Sequence, residues 1–215
     1  MKVLGRLSTL LLALAGAGAA AAAEPRSEQE LAYKFGRCLV QQDRLAAIQI
    51  LNQLPFVGGD VSLTEADLGD AAPCLGAGLA GVSPIAVRGG IAQELFLRDF
   101  KEFGIEPKRR REFANLALPI SNDSEVGDAK TRALYRLGDC VVRNRTHSIE
   151  QLLKAPVGSR TEQHVIDQLG PIMAACHGSK GQARVSREDL RSILAQAAYS
   201  ASVRYWNGRL QGVMR

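Results

Sequence analysis

The sequence predicts an all-α protein built as two tandem four-helix units, each closed by one internal disulfide. Three observations carry that prediction. Cys38 and Cys74 stand 36 residues apart, and so do Cys140 and Cys176. The residues around the two pairs align at an offset of 102. Apolar residues recur at helical spacing between cap and stop signals, and no long run sustains the alternation of a strand.

The repeat is read from ordered matches. Tyr33-Lys34-Phe35-Gly36-Arg37-Cys38 lies over Tyr135-Arg136-Leu137-Gly138-Asp139-Cys140, Gln49 over Gln151, Leu51 over Leu153 and Gly76 over Gly178. One extra residue then shifts the offset to 103. There Val82-Ser83 meets Val185-Ser186, Arg88 meets Arg191, Ala92-Gln93 meets Ala195-Gln196, Phe96 meets Tyr199 and Phe103 meets Trp206. A fixed self-similarity of this kind marks an internal duplication. The offset is three times 34, but neither a tetratricopeptide pattern nor a 34-residue subperiod is present.

The first 23 residues read as an export signal: basic Lys2 and Arg6, an apolar stretch from Leu7 to Ala15, and small residues at Ala21-Ala22-Ala23 before Glu24-Pro25. The alternative is an uncleaved anchor. However, the 17 residues from Leu7 to Ala23 are mostly Ala and Gly, short and weakly apolar for a span. No later stretch is apolar enough to span, so no transmembrane segment is expected after cleavage. Four cysteines in an exported chain point to two disulfides. Duplication selects Cys38–Cys74 and Cys140–Cys176 from the three possible pairings, and each loop stabilises by roughly 3–4 kcal/mol in the chain-entropy view.

The units are expected at 24–104 and 131–215, joined by a connector at 105–130. Helix one carries Leu31, Phe35, Cys38 and Leu39, matched by Leu134, Leu137, Cys140 and Val141. Helix two carries Leu45, Ile48, Leu51 and Leu54 and stops at Pro55; its partner carries Ile149, Leu152 and Leu153 and stops at Pro156. Helix three opens on capping-box patterns, Ser62-x-x-Glu65 and Ser159-x-x-Glu162, offset by 97 rather than 102. Helix three therefore starts earlier in the second unit, where Val165, Ile166, Leu169, Ile172, Met173 and Cys176 mark one face. Helix four opens at Ser83-Pro84 and at Ser186, the latter with Glu188 and Asp189 in its first turn. It ends near Gly104 and near Asn207-Gly208. The connector holds a short strand-like run, Phe113 to Ile120.

Charge excludes little. The chain carries 27 basic and 22 acidic residues, +5 overall, or +3 without Lys2 and Arg6. That is too mild to indicate nucleic-acid binding. Lys108-Arg109-Arg110-Arg111 is the main basic cluster and a candidate anion-binding site for lipid head groups or acidic polysaccharide. The competing reading is a solvated loop, diluted by Glu106 and Glu112.

Candidate chemistry falls short of a motif. His147, His164 and His177 all lie in the second unit and lack metal-ligand spacing. A disulfide-bonded Cys176 beside His177 is neither nucleophile nor ligand. Glu65, Asp67 and Asp70, and Glu188 with Asp189, fit first helical turns better than a glycosidase pair. Gly76 to Gly81 spells G-x-G-x-x-G but lacks the preceding strand that a dinucleotide site needs. Tyr33/Tyr135, Arg88/Arg191 and Gln93/Gln196 recur in both units and read as a helix contact fixed twice, with each arginine pairing an acid on a neighbouring helix. Gly89-Gly90 beside Ser192 marks a close helix crossing.

Gly36-Arg37-Cys38 and Gly138-Asp139-Cys140, closed by Cys74 and Cys176, resemble exported α-helical Cys-repeat proteins of alphaproteobacteria, sphingomonad-type. The resemblance implies no activity and carries over no functional residue. The expectation is a periplasmic or secreted, non-catalytic protein with no cofactor and no metal, binding a protein or envelope component. The alternatives are an envelope hydrolase with a site between the units, and a binder of anionic surfaces through Lys108 to Arg111.

Overall fold

A computed structural model describes residues 27–54, 61–76, 78–100, 129–177 and 185–213. The export signal, Lys108–Arg111, the run from Phe113 to Ile120, Pro55, Gly104 and the Phe103 side of the Phe103/Trp206 match lie outside them. The first unit comprises α1 (Glu28–Gln42), α2 (Arg44–Gln53), the single-turn α3 (Glu65–Leu68) running into a 3-10 helix (Gly69–Leu75), and α4 (Pro84–Asp99). The second comprises α5 (Ala129–Asn144), α6 (Thr146–Lys154), α7 (Arg160–His177) and α8 (Arg187–Val213). Among the described residues there is no strand. The protein is all-α, with Cys38 bonded to Cys74 and Cys140 to Cys176 across Cα–Cα distances of 5.5 and 5.7 Å. Each bridge ties the first helix of a unit to the end of its third segment.

Local signals set most boundaries. Ser27 Oγ accepts from the Glu30 amide at 3.2 Å and starts α1. Asp43 ends α1 and caps α2, its Oδ1 accepting from the amides of Leu45 at 2.9 Å and Ala46 at 3.0 Å. Leu54 and Ala155 are both extended, at ψ 136° and 140°, because each precedes a proline whose ring disfavours helical geometry there. Ser83 and Ser186 cap α4 and α8 through the Ala86 and Asp189 amides at 3.4 and 2.9 Å.

Four expectations need correction. The α3 capping box is Thr64 with Asp67, not Ser62 with Glu65. Asp67 Oδ2 accepts from the Thr64 amide at 2.7 Å, and this register turns Leu68 into the core. Glu65 becomes the first helical residue and cannot reach back as a third-position cap. In the second unit Ser159 Oγ does accept from the Glu162 amide at 3.2 Å, but Glu162 reaches back to the Gly158 amide rather than to that of Ser159.

Helix three of the first unit is only one α-turn. Gly69 at φ +53° breaks it and the chain tightens to 3-10 around Pro73, whereas α7 spans 18 residues. It does start earlier in the second unit relative to the repeat. Leu45 is 68 % exposed, and the inward stripe of α2 is Ala47, Ile50 and Leu51. Finally, α4 ends at Asp99, before Gly104, and α8 continues through Asn207-Gly208 to Val213. Glycine ends a helix only where it turns left-handed; within one it costs about 1 kcal/mol, which a long helix absorbs.

The two units share one core. α4 packs on α1 and α8 packs on α5, and α4 and α8 pack on each other. Phe35, Leu39, Ile91 and Leu95 of the first unit are continuous with Val141, Leu152, Leu169 and Leu194 of the second. Each such side chain contributes roughly 1.5–3 kcal/mol by leaving water.

Candidate functional site

The polar residues repeated in both units meet where α4 crosses α8. Gly89 sits directly against Ser192, its own equivalent in the duplication: a Cβ on Gly89 would lie 2.4 Å from the Ser192 Cβ. Two equivalent positions touch only on an axis of two-fold symmetry, so the crossing is the pseudo-dyad of the molecule. Around it, contacts run reciprocally. Arg88 Nε donates to Gln196 Oε1 at 2.8 Å, while Arg191 Nε and Nη2 donate to Gln93 Oε1 at 3.1 and 2.9 Å. Arg88 Nη2 donates to the Tyr135 hydroxyl at 3.3 Å, and the Arg191 guanidinium lies 5.0 Å from the Tyr33 ring centroid. Each arginine thus engages the glutamine and tyrosine of the opposite unit.

The same arginines close the ends of helix two in their own units. Arg88 Nη1 donates to the Leu54 carbonyl at 2.6 Å and to that of Leu51, and Arg191 Nη2 donates to the Ala155 carbonyl at 2.8 Å. Carbonyls in a last helical turn lack intrahelical donors, and a buried guanidinium supplies them. The arrangement is not perfectly symmetric. Fully buried Arg191 also pairs with Glu162 of α7, Nη1 to Oε1 at 2.9 Å, off hydrogen-bond alignment. Burial lowers the Arg88 pKa below its ordinary value, with Tyr135 opposing. Burial also pushes the Tyr33 phenol up to about 12, against the neighbouring Arg191 cation.

A second cross-unit contact joins α2, α4 and α8. Arg44 grips Asp99 in a fork, Nε to Oδ1 at 2.8 Å and Nη2 to Oδ2 at 2.6 Å, and the Tyr199 hydroxyl lies 3.4 Å from Asp99 Oδ2. The hydrogen bond to Asp99 raises the Arg44 pKa. Burial, reinforced by the Asp99 charge, pushes Tyr199 up to about 12. Sequence reasoning missed this contact because its members are 55 and 100 residues apart. One signal was present: the duplication places Thr146 over Arg44 and Ser202 over Asp99, so both members of the pair change together.

The other candidates stay apart. His147 contacts Gln151 at 3.1 Å and His164 contacts Gln168 at 2.9 Å, both on exposed faces, while Glu150 pairs with Lys154. His177 is half-buried at the end of α7, beside the oxidised Cys176. Asp67 is held below its usual pKa by its hydrogen bonds to Thr64 and serves the α3 cap. Gly76, Gly78 and Gly81 lie between the 3-10 helix and α4 and are at positive φ. No group of three or more His, Cys, Asp or Glu among the described residues could hold a metal ion.

Chemically, the crossing holds the units in register. Its arginines and glutamines are spent on one another and on helix-two carbonyls, which suits a rigid scaffold. Fold and site together define an all-α, disulfide-stapled duplication locked about an internal pseudo-dyad. No protein-family model matches the chain, and neither a curated protein nor a solved structure matches it.

Proposed function

We propose that this chain is an exported, non-catalytic helical module that binds a protein or envelope component. One observation carries the reading: the arginine and glutamine that helix four keeps in both copies are spent inside the fold. Arg88, Gln93, Arg191 and Gln196 fix one unit to the other, so what the duplication preserves is the scaffold. Two disulfides and no free cysteine among the described residues support an oxidising compartment, in keeping with the export signal read from Lys2 to Ala23. No described helix is long and apolar enough to cross a membrane.

The reading is tested on exported protein. Its mature N-terminus should be Glu24, and a hydrolase panel should detect no turnover. Turnover that is lost on His147→Ala or Glu150→Gln would overturn it in favour of an envelope hydrolase.

A further inference from the structure

The duplication gives each disulfide an internal control. Cys38–Cys74 and Cys140–Cys176 occupy equivalent places, each joining residues 36 apart. Their surroundings differ. Cys74 is 9 % exposed and belongs to the core, with Cys38 packed against it. In the second bridge neither cysteine is buried, and both lie half-covered at the edge of the core. The helix that carries Cys176 is also loosely seated there. The buried residues of α7, Glu162, Val165, Ile166 and Leu169, all precede Gly170. Beyond it Pro171, Ala174 and Ala175 are exposed, and Ile172, Met173 and Cys176 are half-buried. Pro171 has no amide hydrogen, so the Asp167 carbonyl lacks its helical donor. The hydrogen-bond ladder is thus interrupted where burial stops. In the first unit the equivalent segment runs through the core, since Leu68, Ala71 and Cys74 are all buried.

The two sulfurs of the second bridge are not equivalent. Asn144 Nδ2 donates to the Cys140 carbonyl at 2.8 Å and lies 3.8 Å from Cys140 Sγ. An amide donor in that place stabilises a thiolate on Cys140. Cys176 is the penultimate residue of α7, at the negative end of the helix dipole, where a thiolate is disfavoured. Disulfide exchange expels the better-stabilised thiolate faster, so attack falls on Cys176 and Cys140 leaves.

We infer that Cys140–Cys176 is a redox switch: an external dithiol opens it and releases the end of α7, while Cys38–Cys74 stays closed and the fold persists. One thiolate of the dithiol attacks Cys176 Sγ, forming a mixed disulfide and expelling Cys140 as a thiolate. The second thiolate then attacks the dithiol's own sulfur in that mixed disulfide and expels Cys176. The dithiol ends as a disulfide, oxidised by two electrons. Cys140 and Cys176 end as thiols, reduced by the same two electrons and carrying the two protons that the dithiol gave up. Exposed bridges of this kind are the labile ones, and buried ones resist reduction. Opening lets Ile172 and Met173 leave the core against which they pack, and so bares apolar surface. The inference goes beyond the binding-module reading and does not depend on it.

The test exposes the full chain, with both bridges closed, to dithiothreitol without denaturant. Free thiols are alkylated at intervals and located by peptide mass. Cys140 and Cys176 should be modified about ten-fold faster than Cys38 and Cys74. At that stage hydrogen exchange should rise over Ile172 to His177 and leave Val165 to Leu169 protected, with the helical circular dichroism nearly unchanged. Glutathione, a monothiol trapped by acid at the mixed disulfide, should be found on Cys176. Asn144→Ala should slow opening of the second bridge about three-fold, because the leaving thiolate loses its donor. A merely structural role for Asn144 would loosen the end of α5 and speed the opening instead. The inference is overturned by equal rates at the two bridges, by earlier opening of Cys38–Cys74, or by a glutathione adduct on Cys140. Unchanged or faster opening in Asn144→Ala, unchanged exchange over Ile172 to His177, or loss of the whole fold when the second bridge opens would overturn it equally.

Discussion

Arg191 is fully buried, yet its guanidinium meets Glu162, Gln93, the Ala155 carbonyl and the Tyr33 ring. Removing one partner of such a set strands the others away from water. Arg191→Met should therefore cost about 3–5 kcal/mol, mainly through the unpaired Glu162 carboxylate. Arg191→Met with Glu162→Leu should recover part of that loss, and urea unfolding of both variants measures it.

Tyr33 and Tyr199 give a second prediction at this scale. Both phenols are pushed up to about 12, so the unfolded chain loses these protons first, near pH 10. The folded state then holds more protons than the unfolded one, and stability falls as pH rises from about 10 to 12, by about 1.4 kcal/mol per pH unit for each tyrosine. Below pH 10 neither contributes a slope. Chemical unfolding across this range should show it, and Tyr33→Phe with Tyr199→Phe should flatten it.

Among the elements, the third segments differ most between units. α7 is long enough to bury Val165, Ile166 and Leu169 well before its bridge at Cys176. The first unit has one α-turn and a 3-10 helix, too short to hold themselves without tertiary support. Replacing Cys38 and Cys74 by serine should cost about 3–4 kcal/mol and release residues 61–76 to rapid hydrogen exchange. The same change at Cys140 and Cys176 should loosen Ile172 to His177 and leave Val165 to Leu169 protected. Equal exchange behaviour in the two variants would refute this difference.

For the molecule as a whole, the decisive feature is the pseudo-dyad at Gly89 and Ser192. The crossing resembles an isologous dimer interface contained in one chain: Arg88 reaches Gln196 and Arg191 reaches Gln93. Its close approach depends on the absence of a side chain at Gly89. Gly89→Ala places a Cβ within 2.4 Å of both Cβ and Oγ of Ser192. It should lower stability by about 1–3 kcal/mol. Adding Ser192→Gly removes those two atoms and should restore part of the loss, although the Ser192 Cα, 2.6 Å from that position, still crowds it. Thermal unfolding of the single and double variants reads this coupling directly.

The helical class, the duplication, both disulfides and most helix starts are legible in the amino-acid order alone. These depend on short-range chemistry and equal spacing: a serine before a helix, a proline after one, two cysteine pairs 36 residues apart. That order also marked the repeated Arg, Gln and Tyr as a contact and the Gly89 region as a crossing. It misplaced the α3 box because Ser62 and Thr64 both offer a hydroxyl three residues before an acid, and only the burial of Leu68 separates them. It put Leu45 on the inner stripe because the rotation of α2 is set by what it packs against. The shared core of the two units, the reach of each arginine to the opposite unit, and the meeting of Arg44, Asp99 and Tyr199 emerge only from the packing. The physical reason is range. Caps and periodicity act within a few residues, whereas these contacts join residues 55 to 108 apart, and only the packing of α4 on α2 and on α8 brings them together.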